Sequence, residues 1–135
     1  MTAAGGEPST AIARSVLDAL SRGDIEEFAR LVHPEVEVHT ARGVRCGAEE
    51  AREWASNVYD HLDRRYEIDE MHVAGTDVLV LADVQYVWRE SGEIGDSTPV
   101  AVAMCFADGR LRRWRVYDDP REGLKVFTQE VESRE

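Results

Sequence analysis

The sequence has little cysteine, few basic residues and no long apolar run. Its two cysteines, Cys46 and Cys105, form no CxxC pair and have no cysteine–histidine ligand spacing, so we expect reduced thiols in a cytoplasmic protein. Lys and Arg total 16 against 27 Asp and Glu, and the net charge of −11 opposes binding to nucleic acid or to anionic membranes. No run approaches the roughly 20 apolar residues of a membrane span, and residues 1–8 lack the features of a secretory signal.

Motifs for metals and cofactors are also absent. The four histidines, His33, His39, His61 and His72, have no metal-ligand spacing. The chain has no glycine-rich phosphate loop and no Ser/His/Asp signature. We therefore expect no metal and no cofactor. What remains is one domain of ordinary composition, with 43% apolar and 32% charged residues in 135.

The first half of the chain predicts three amphipathic helices. Ser9 or Thr10 can cap the first helix. Asp24 caps the second, with Glu27 three residues further on as in a capping box, and the third helix covers roughly residues 48–64. Their apolar faces consist of Ile12, Val16, Leu17 and Leu20, of Ile25, Phe28, Leu31 and Val32, and of Ala51, Trp54, Ala55, Val58 and Leu62.

The second half changes to a period of two, which is typical of strands. Turns containing Gly75, Gly92 and Asp108-Gly109 separate the apolar runs as hairpins. Helices followed by an antiparallel meander predict an α+β fold, with the helices on one face of a curled sheet. The predicted strands are 36–39, 66–74, 78–89, 99–107 and 111–117, a short helix covers 120–127, and the domain spans 9–127 between tails at 1–8 and 128–135.

Four phrases carry a family resemblance. They are residues 20–28 (LSRGDIEEF), 33–39 (HPEVEVH), 43–54 (GVRCGAEEAREW) and 108–118 (DGRLRRWRVYD). Their order and spacing resemble the SnoaL-like group of the nuclear transport factor 2-like superfamily over about residues 10–127. The resemblance implies a cone-shaped, curved antiparallel sheet, with three N-terminal helices packed on its concave face around a mostly apolar pocket. It also implies a homodimer formed through the outer sheet face.

The resemblance leaves the activity open, because its members include cyclases, isomerases, epoxide hydrolases and proteins without chemistry. The acid–base set of ketosteroid isomerases corresponds here to Thr40, Val16 and Val102, none of which can take those roles. The Asp-Arg-Asp set of limonene-type epoxide hydrolases corresponds to Val116, Asp83 and Gln85. One polar pair therefore remains, with altered chemistry, and steroid isomerisation by the family mechanism is not expected.

Asp83 and Gln85 share one face of a predicted strand and allow two interpretations. The resemblance places both in the pocket, where burial would raise the pKa of Asp83 toward values useful in proton transfer and Gln85 would orient a ligand or water. Periodicity alone favours the opposite arrangement. In that arrangement the even-numbered residues Val80 to Trp88 form the apolar face, and Asp83 and Gln85 face solvent or a dimer partner.

Alternation and the resemblance together predict an apolar ligand site suited to a flat hydrophobic molecule. A basic cluster of Arg110, Arg112, Arg113 and Arg115 is expected to pair with acidic residues on a neighbouring strand or subunit. The side chains predicted to contact ligand are Val38, Thr40, Trp54, Val58, Val100, Val102, Met104, Trp114, Val116 and Asp118.

Two functions follow from these residues. The first is acid–base chemistry of the isomerase, cyclase or hydrolase type on a small hydrophobic molecule, with Asp83 transferring the proton. The alternative is a non-catalytic module for small-molecule binding or dimerisation. The absence of acids at Thr40, Val102 and Val116 favours the alternative, whereas a buried Asp83 would favour the enzyme.

Overall fold

The structure, a computed structural model, describes residues 7–40, 42–56 and 62–133. Four helices and six strands lie in these ranges. In chain order they are α1 (Glu7–Arg22), α2 (Ile25–Leu31), β1 (Val32–Thr40), β2 (Gly43–Cys46), α3 (Ala48–Ser56), β3 (Leu62–Ala74), β4 (Asp77–Trp88), β5 (Ile94–Ala107), β6 (Arg110–Tyr117) and α4 (Pro120–Ser133). The last part of the predicted third helix, with Val58 and His61, lies outside the described residues.

The six strands form one mixed sheet in the order β2-β1-β6-β5-β4-β3. The antiparallel meander from β3 to β6 is confirmed. The expectation of a wholly antiparallel sheet was wrong, because β1 pairs in parallel with β6, with Val38 opposite Trp114. That contact joins segments separated by more than half the chain, so no local sequence pattern signals it.

Several element boundaries differ from those predicted. β2 is not among the predicted strands, yet its four residues pair antiparallel with β1. β5 begins at Ile94 rather than at Pro99, because its first residues pair with β4 while remaining exposed and polar. Exposed strand residues need no apolar alternation, so the period-two pattern misses them. α4 continues to Ser133, beyond the predicted end of the last helix at Phe127.

A local signal accounts for the start of α2 but not for that of α1. Asp24 caps α2 as predicted, because its carboxylate accepts a hydrogen bond from the Glu27 backbone N–H at 3.1 Å. Ser9, in contrast, lies inside the first turn of α1, which begins at Glu7. The buried Ser9 hydroxyl donates to the Gly75 carbonyl at 3.2 Å, and thereby connects α1 to the turn between β3 and β4.

Helices lie on both faces of the sheet. We call the face toward α1 the inner face and the face toward α4 the outer face. α1 packs against β3 and β4, and α3 packs against β1 and β2. On the inner face, the even-numbered side chains of β4 from Val78 to Val84 belong to the apolar core shared with α1. On the outer face, α4 packs against β5, where Gly123 lies close to Ala101 and Tyr117.

None of the helices in residues 7–40, 42–56 and 62–133 is both long and apolar enough to cross a membrane. Neither Cys46 nor Cys105 forms a disulfide. Across the same ranges, no three His, Cys, Asp or Glu side chains come together as a metal site would require.

Candidate ligand-binding site

The site is built from one face of β3. Along this strand Arg64, Tyr66 and Ile68 alternate with Arg65 and Glu67. Cross-strand pairing places Tyr66 opposite Val84 and Ile68 opposite Ala82, both of which belong to the inner core. Since alternate side chains of a strand point to opposite faces, Arg64 also faces inward, although an arginine on an apolar face is unusual.

Three aromatic rings converge beside Arg64. The Trp54 ring of α3 lies 5.3 Å from the Trp114 ring of β6, measured between ring centres, with the planes tilted by 60°. Tyr66 meets Trp114 edge to face at 5.9 Å. Phe28 of α2 extends the group, 6.1 Å from Trp54. We call Trp54, Tyr66 and Trp114 the aromatic cluster; these distances lie in the range in which ring pairs attract one another.

The Arg64 cation lies against this cluster. Its guanidinium carbon is 5.0 Å from the Trp54 ring centre and 6.0 Å from the Tyr66 ring centre, so both rings stabilise the charge through their π faces. Two of its nitrogens, Nε and Nη2, are buried and form no hydrogen bond with any residue that the structure describes. The buried indole Nε1 of Trp114 also has no acceptor. Buried donors without acceptors are uncommon in folded proteins and carry a cost in stability.

Tyr66 is hydrogen-bonded to α1 through its backbone, and its hydroxyl lies in a buried environment. Its backbone N–H donates to the Ser21 hydroxyl at 2.9 Å, which connects β3 to the end of α1. Burial raises the pKa of the Tyr66 hydroxyl, while the Arg64 charge acts in the opposite direction and Tyr86 adds to the rise. The hydroxyl therefore stays protonated near neutral pH and can donate or accept a hydrogen bond.

A match to a family model identifies the family of this chain. The model of the SnoaL-like domain matches residues 13–114, which include Trp54, Arg64, Tyr66 and Trp114. The chain belongs to the SnoaL-like domain family. A comparison of the sequence with curated proteins gives no significant match.

Solved structures extend this result at the level of the fold. A candidate polyketide cyclase of Xanthomonas campestris pv. campestris is 17% identical, with a TM-score of 0.75 over 88% of this chain and 96% of that one. An epoxide hydrolase of M. tuberculosis, similar to limonene epoxide hydrolase, is 16% identical, with a TM-score of 0.73 over 89% of each chain. A nuclear transport factor 2-like protein of unknown function from Cytophaga hutchinsonii is 17% identical, with a TM-score of 0.67 over 84% and 92%. At these identities the likeness shows the nuclear transport factor 2-like fold and no more.

The predicted inward placement of Asp83 and Gln85 was wrong. Their neighbours Ala82 and Val84 belong to the inner core, so alternation directs Asp83 and Gln85 to the outer face. There Asp83 lies opposite Glu67, and the Gln85 side-chain amide donates to the Glu67 carboxylate at 3.2 Å. The interpretation from periodicity was the correct one. The catalytic role predicted for this pair loses its structural basis, because it required a carboxylate in the pocket.

The other predicted ligand contacts differ in where they lie. Trp54 and Val116 are partly buried and pack against the core, whereas Thr40 accepts a hydrogen bond from the Arg42 backbone N–H and Asp118 is exposed. Val58 lies outside the described residues. The remaining five are fully or almost fully buried core residues, namely Val38, Val100, Val102, Met104 and Trp114.

Sequence reasoning missed Arg64. The predicted third helix extended through residue 64, so this arginine was treated as a helix end rather than as part of a strand. The signal that would have found it is the alternation of Arg64, Tyr66 and Ile68, which continues the inner face by one residue pair toward the start of β3.

The basic cluster of β6 lies partly on the outer face, and the expected acidic partners on β1 are found for one of its members, Arg112. Arg112 lies 3.5 Å from Glu37 and 3.9 Å from Glu35. The nearby His39 Nε2 lies 3.0 Å from the same Glu37 carboxylate. The hydrogen bond to His39, assisted by the Arg112 charge, lowers the pKa of Glu37. This ion-pair group stabilises the parallel β1–β6 contact and is separate from the aromatic cluster.

A concave surface lies at the tip of the β4–β5 hairpin, away from the aromatic cluster. It is a depression of about 470 Å³ lined by Trp88, Glu90, Ser91 and Glu93. The Trp88 ring is 47% exposed. None of the side chains predicted to contact ligand lines it, so it does not replace the inner-face site.

Proposed function

We propose that this SnoaL-like protein binds a small, flat hydrophobic molecule against the aromatic cluster on the inner face. The observation that carries the proposal is the set of buried donors among the rings, namely Arg64 Nε and Nη2 and Trp114 Nε1, which have no acceptor. A ligand that combines a planar apolar body with an acceptor group would stack on the rings and satisfy these donors.

Binding without proton transfer is the version that the geometry supports best. The chemistry predicted for this chain depended on Asp83, which faces away from the aromatic cluster. Of the residues at the cluster, Arg64 offers only N–H donors and no acceptor, and Tyr66 has a raised pKa. Neither group is suited to act as a base near neutral pH. The non-catalytic alternative is therefore the one we adopt, and the related cyclases, isomerases and hydrolases supply the fold.

A binding screen with two matched tryptophan variants tests the proposal. Flat aromatic compounds of two or three rings, some neutral and some acidic, are screened by thermal shift and by quenching of tryptophan fluorescence. We expect at least one class to raise the melting temperature of the wild type. Trp54→Leu should weaken that binding at least about tenfold, whereas Trp88→Leu, at the hairpin tip, should leave it unchanged.

Two results would contradict the proposal. One is that no compound of the screen shifts the melting temperature. The other is that Trp88→Leu abolishes binding while Trp54→Leu does not, which would assign the ligand to the hairpin depression. Circular dichroism of both variants confirms that they remain folded.

A further inference from the structure

The unpartnered nitrogens of Arg64 lie on the same edge of its guanidinium group. Nε–H and the neighbouring N–H of Nη2 point in the same direction from this edge and form a two-pronged donor. A carboxylate presents two oxygens at the matching spacing and accepts both hydrogen bonds side by side. Among the described residues, neither nitrogen has an acceptor of the chain's own.

Other arginines of the protein show what this edge lacks. Arg22 Nε binds the Asp18 carboxylate at 2.8 Å, Arg30 Nε binds that of Glu27 at 2.9 Å, and Arg89 Nε binds that of Asp63 at 3.0 Å. All three are pairs at the protein surface. Among the described residues, Arg64 has the same donor group without a carboxylate beside it, although its Nε and Nη2 are buried and buried donors need an acceptor more than exposed ones do.

We propose that the ligand of the inner-face site is a flat hydrophobic carboxylic acid, whose carboxylate binds the Nε–Nη2 edge of Arg64. This inference rests on the proposed function and specifies its ligand class. Trp54 and Tyr66 stack on the apolar body of the acid, and the indole N–H of Trp114 is a further donor within the same cluster.

The charge at the site favours a monoanion. Arg64 is a single cation surrounded by aromatic rings, so it balances one negative charge. A phosphate ester carries nearly two and usually recruits several cationic groups or backbone N–H donors. The chain as a whole carries a net charge of −11, which disfavours the approach of a dianion further. An aromatic carboxylate needs only the one arginine.

The two nitrogens are shielded in the unliganded structure, although Arg64 as a residue is only partly buried. Binding therefore requires the side chains that cover this edge to move. The aromatic cluster supplies a signal for that movement, because near-ultraviolet circular dichroism reports the packing of Trp54, Tyr66 and Trp114.

Isothermal titration calorimetry with a matched pair of compounds tests the inference. 2-Naphthoic acid and 2-naphthamide have the same shape and differ in charge at neutral pH. We expect the wild type to bind the acid about 10- to 100-fold more tightly than the amide, as a charge-assisted pair would give. Arg64→Met should remove this preference while retaining the amide, and Arg64→Lys should restore only part of it because it has no two-pronged edge. Arg65→Met, the neighbour on the outer face, should behave as the wild type.

The outcomes separate this inference from the proposed function. Equal binding of acid and amide by the wild type, unaffected by Arg64→Met, would overturn the carboxylate assignment and leave hydrophobic binding intact. Binding of neither compound, together with a negative screen, would overturn both. Tighter binding of naphthyl phosphate than of naphthoic acid would replace the carboxylate by a phosphate ester. A loss of acid binding in Arg65→Met as well would point to general charge attraction and overturn the specific contact.

Discussion

The guanidinium carbon of Arg64 lies 5.0 Å from the centre of the Trp54 ring, which places a partly buried cation of β3 directly against an indole of α3. The π face of Trp54 stabilises the charge but cannot accept the hydrogen bonds of Nε and Nη2. The ring contact stabilises the cation, but the buried donors without acceptors reduce the stability of the folded protein. This arrangement is typical of a site in which a ligand supplies the missing acceptor.

Arg64→Met is expected to stabilise the unliganded protein. Methionine keeps an apolar, flexible chain against Trp54 and removes two buried donors that have no acceptor among the described residues, so the free energy of unfolding should rise by about 1–3 kcal/mol. Urea denaturation of the wild type and the variant measures the difference. The control is Arg65→Met on the outer face, which should change it by no more than about 0.5 kcal/mol. A strong destabilisation by Arg64→Met would show that the arginine holds the fold together and would remove the basis of the proposed site.

Asp83→Asn and Val84→Asn test the assignment of the two faces of β4. The first substitution falls on the outer face beside Glu67 and should change the free energy of unfolding by less than about 1 kcal/mol, without effect on ligand binding. The second places an amide in the inner core, where Val84 is 6% exposed, and should cost about 2 kcal/mol or more. The same urea experiment distinguishes them, and the reverse order of effects would show that the faces are exchanged.

Gly123→Ala tests the packing of α4 on the outer face. A methyl group at this position would lie 2.5 Å from the Ala101 Cβ, closer than real contacts allow, and 3.2 Å from Tyr117 Cδ2, which is tighter than most contacts. Alanine favours a helix over glycine by about 1 kcal/mol, but the displacement of α4 from β5 costs about 1–3 kcal/mol and should exceed it. We expect a net loss in thermal stability. Thr128→Ala, at an exposed position of the same helix, is the control, and a gain by Gly123→Ala would mean that α4 is not seated on β5.

The lowered pKa of Glu37 predicts that this residue contributes to the loss of stability at acid pH. Its folded pKa lies below the unfolded value of 4.5, because His39 and Arg112 stabilise the carboxylate. The contribution is therefore complete above pH 4.5 and is lost as the pH falls through the lower folded pKa. Glu37→Gln should flatten this part of the stability profile, and His39→Ala should flatten it in part. Urea midpoints measured from pH 6 to pH 3 provide the test, and an unchanged slope in Glu37→Gln would contradict the assignment.

Much of the fold was predictable because its signals are local. The Asp24 carboxylate caps α2, and Asp108-Gly109 forms a hairpin turn with φ of 55° and 74°, the left-handed region that such turns require. The meander from β3 to β6 follows from turns of this kind. The parallel contact of Val38 with the Trp114 segment is not local, and for that reason no pattern in the sequence indicated it.

The candidate site was predicted less well than the fold. Trp54 and Trp114 were identified, since apolar faces reveal aromatic residues in or near a core. Arg64 was missed because a strand boundary was placed too late. Asp83 was misplaced because a remote resemblance was preferred over the alternation of Ala82 and Val84. A shift of one residue reverses the facing of every side chain in a strand, so remote correspondences between strands are least reliable for facing.

The parallel pairing of β1 with β6 also determines when the sheet can be completed during synthesis of the chain. β1 and β2 leave the ribosome early, but their place in the sheet is beside the last strand. Long-range pairings of this kind form late and slow down folding. Until β6 has emerged, the nascent chain has an open sheet edge at β5, and Trp54 has no Trp114 to pack against. The aromatic cluster thus cannot form before β6 is made, and a chain stalled before Arg110 exposes the apolar surfaces that chaperones bind.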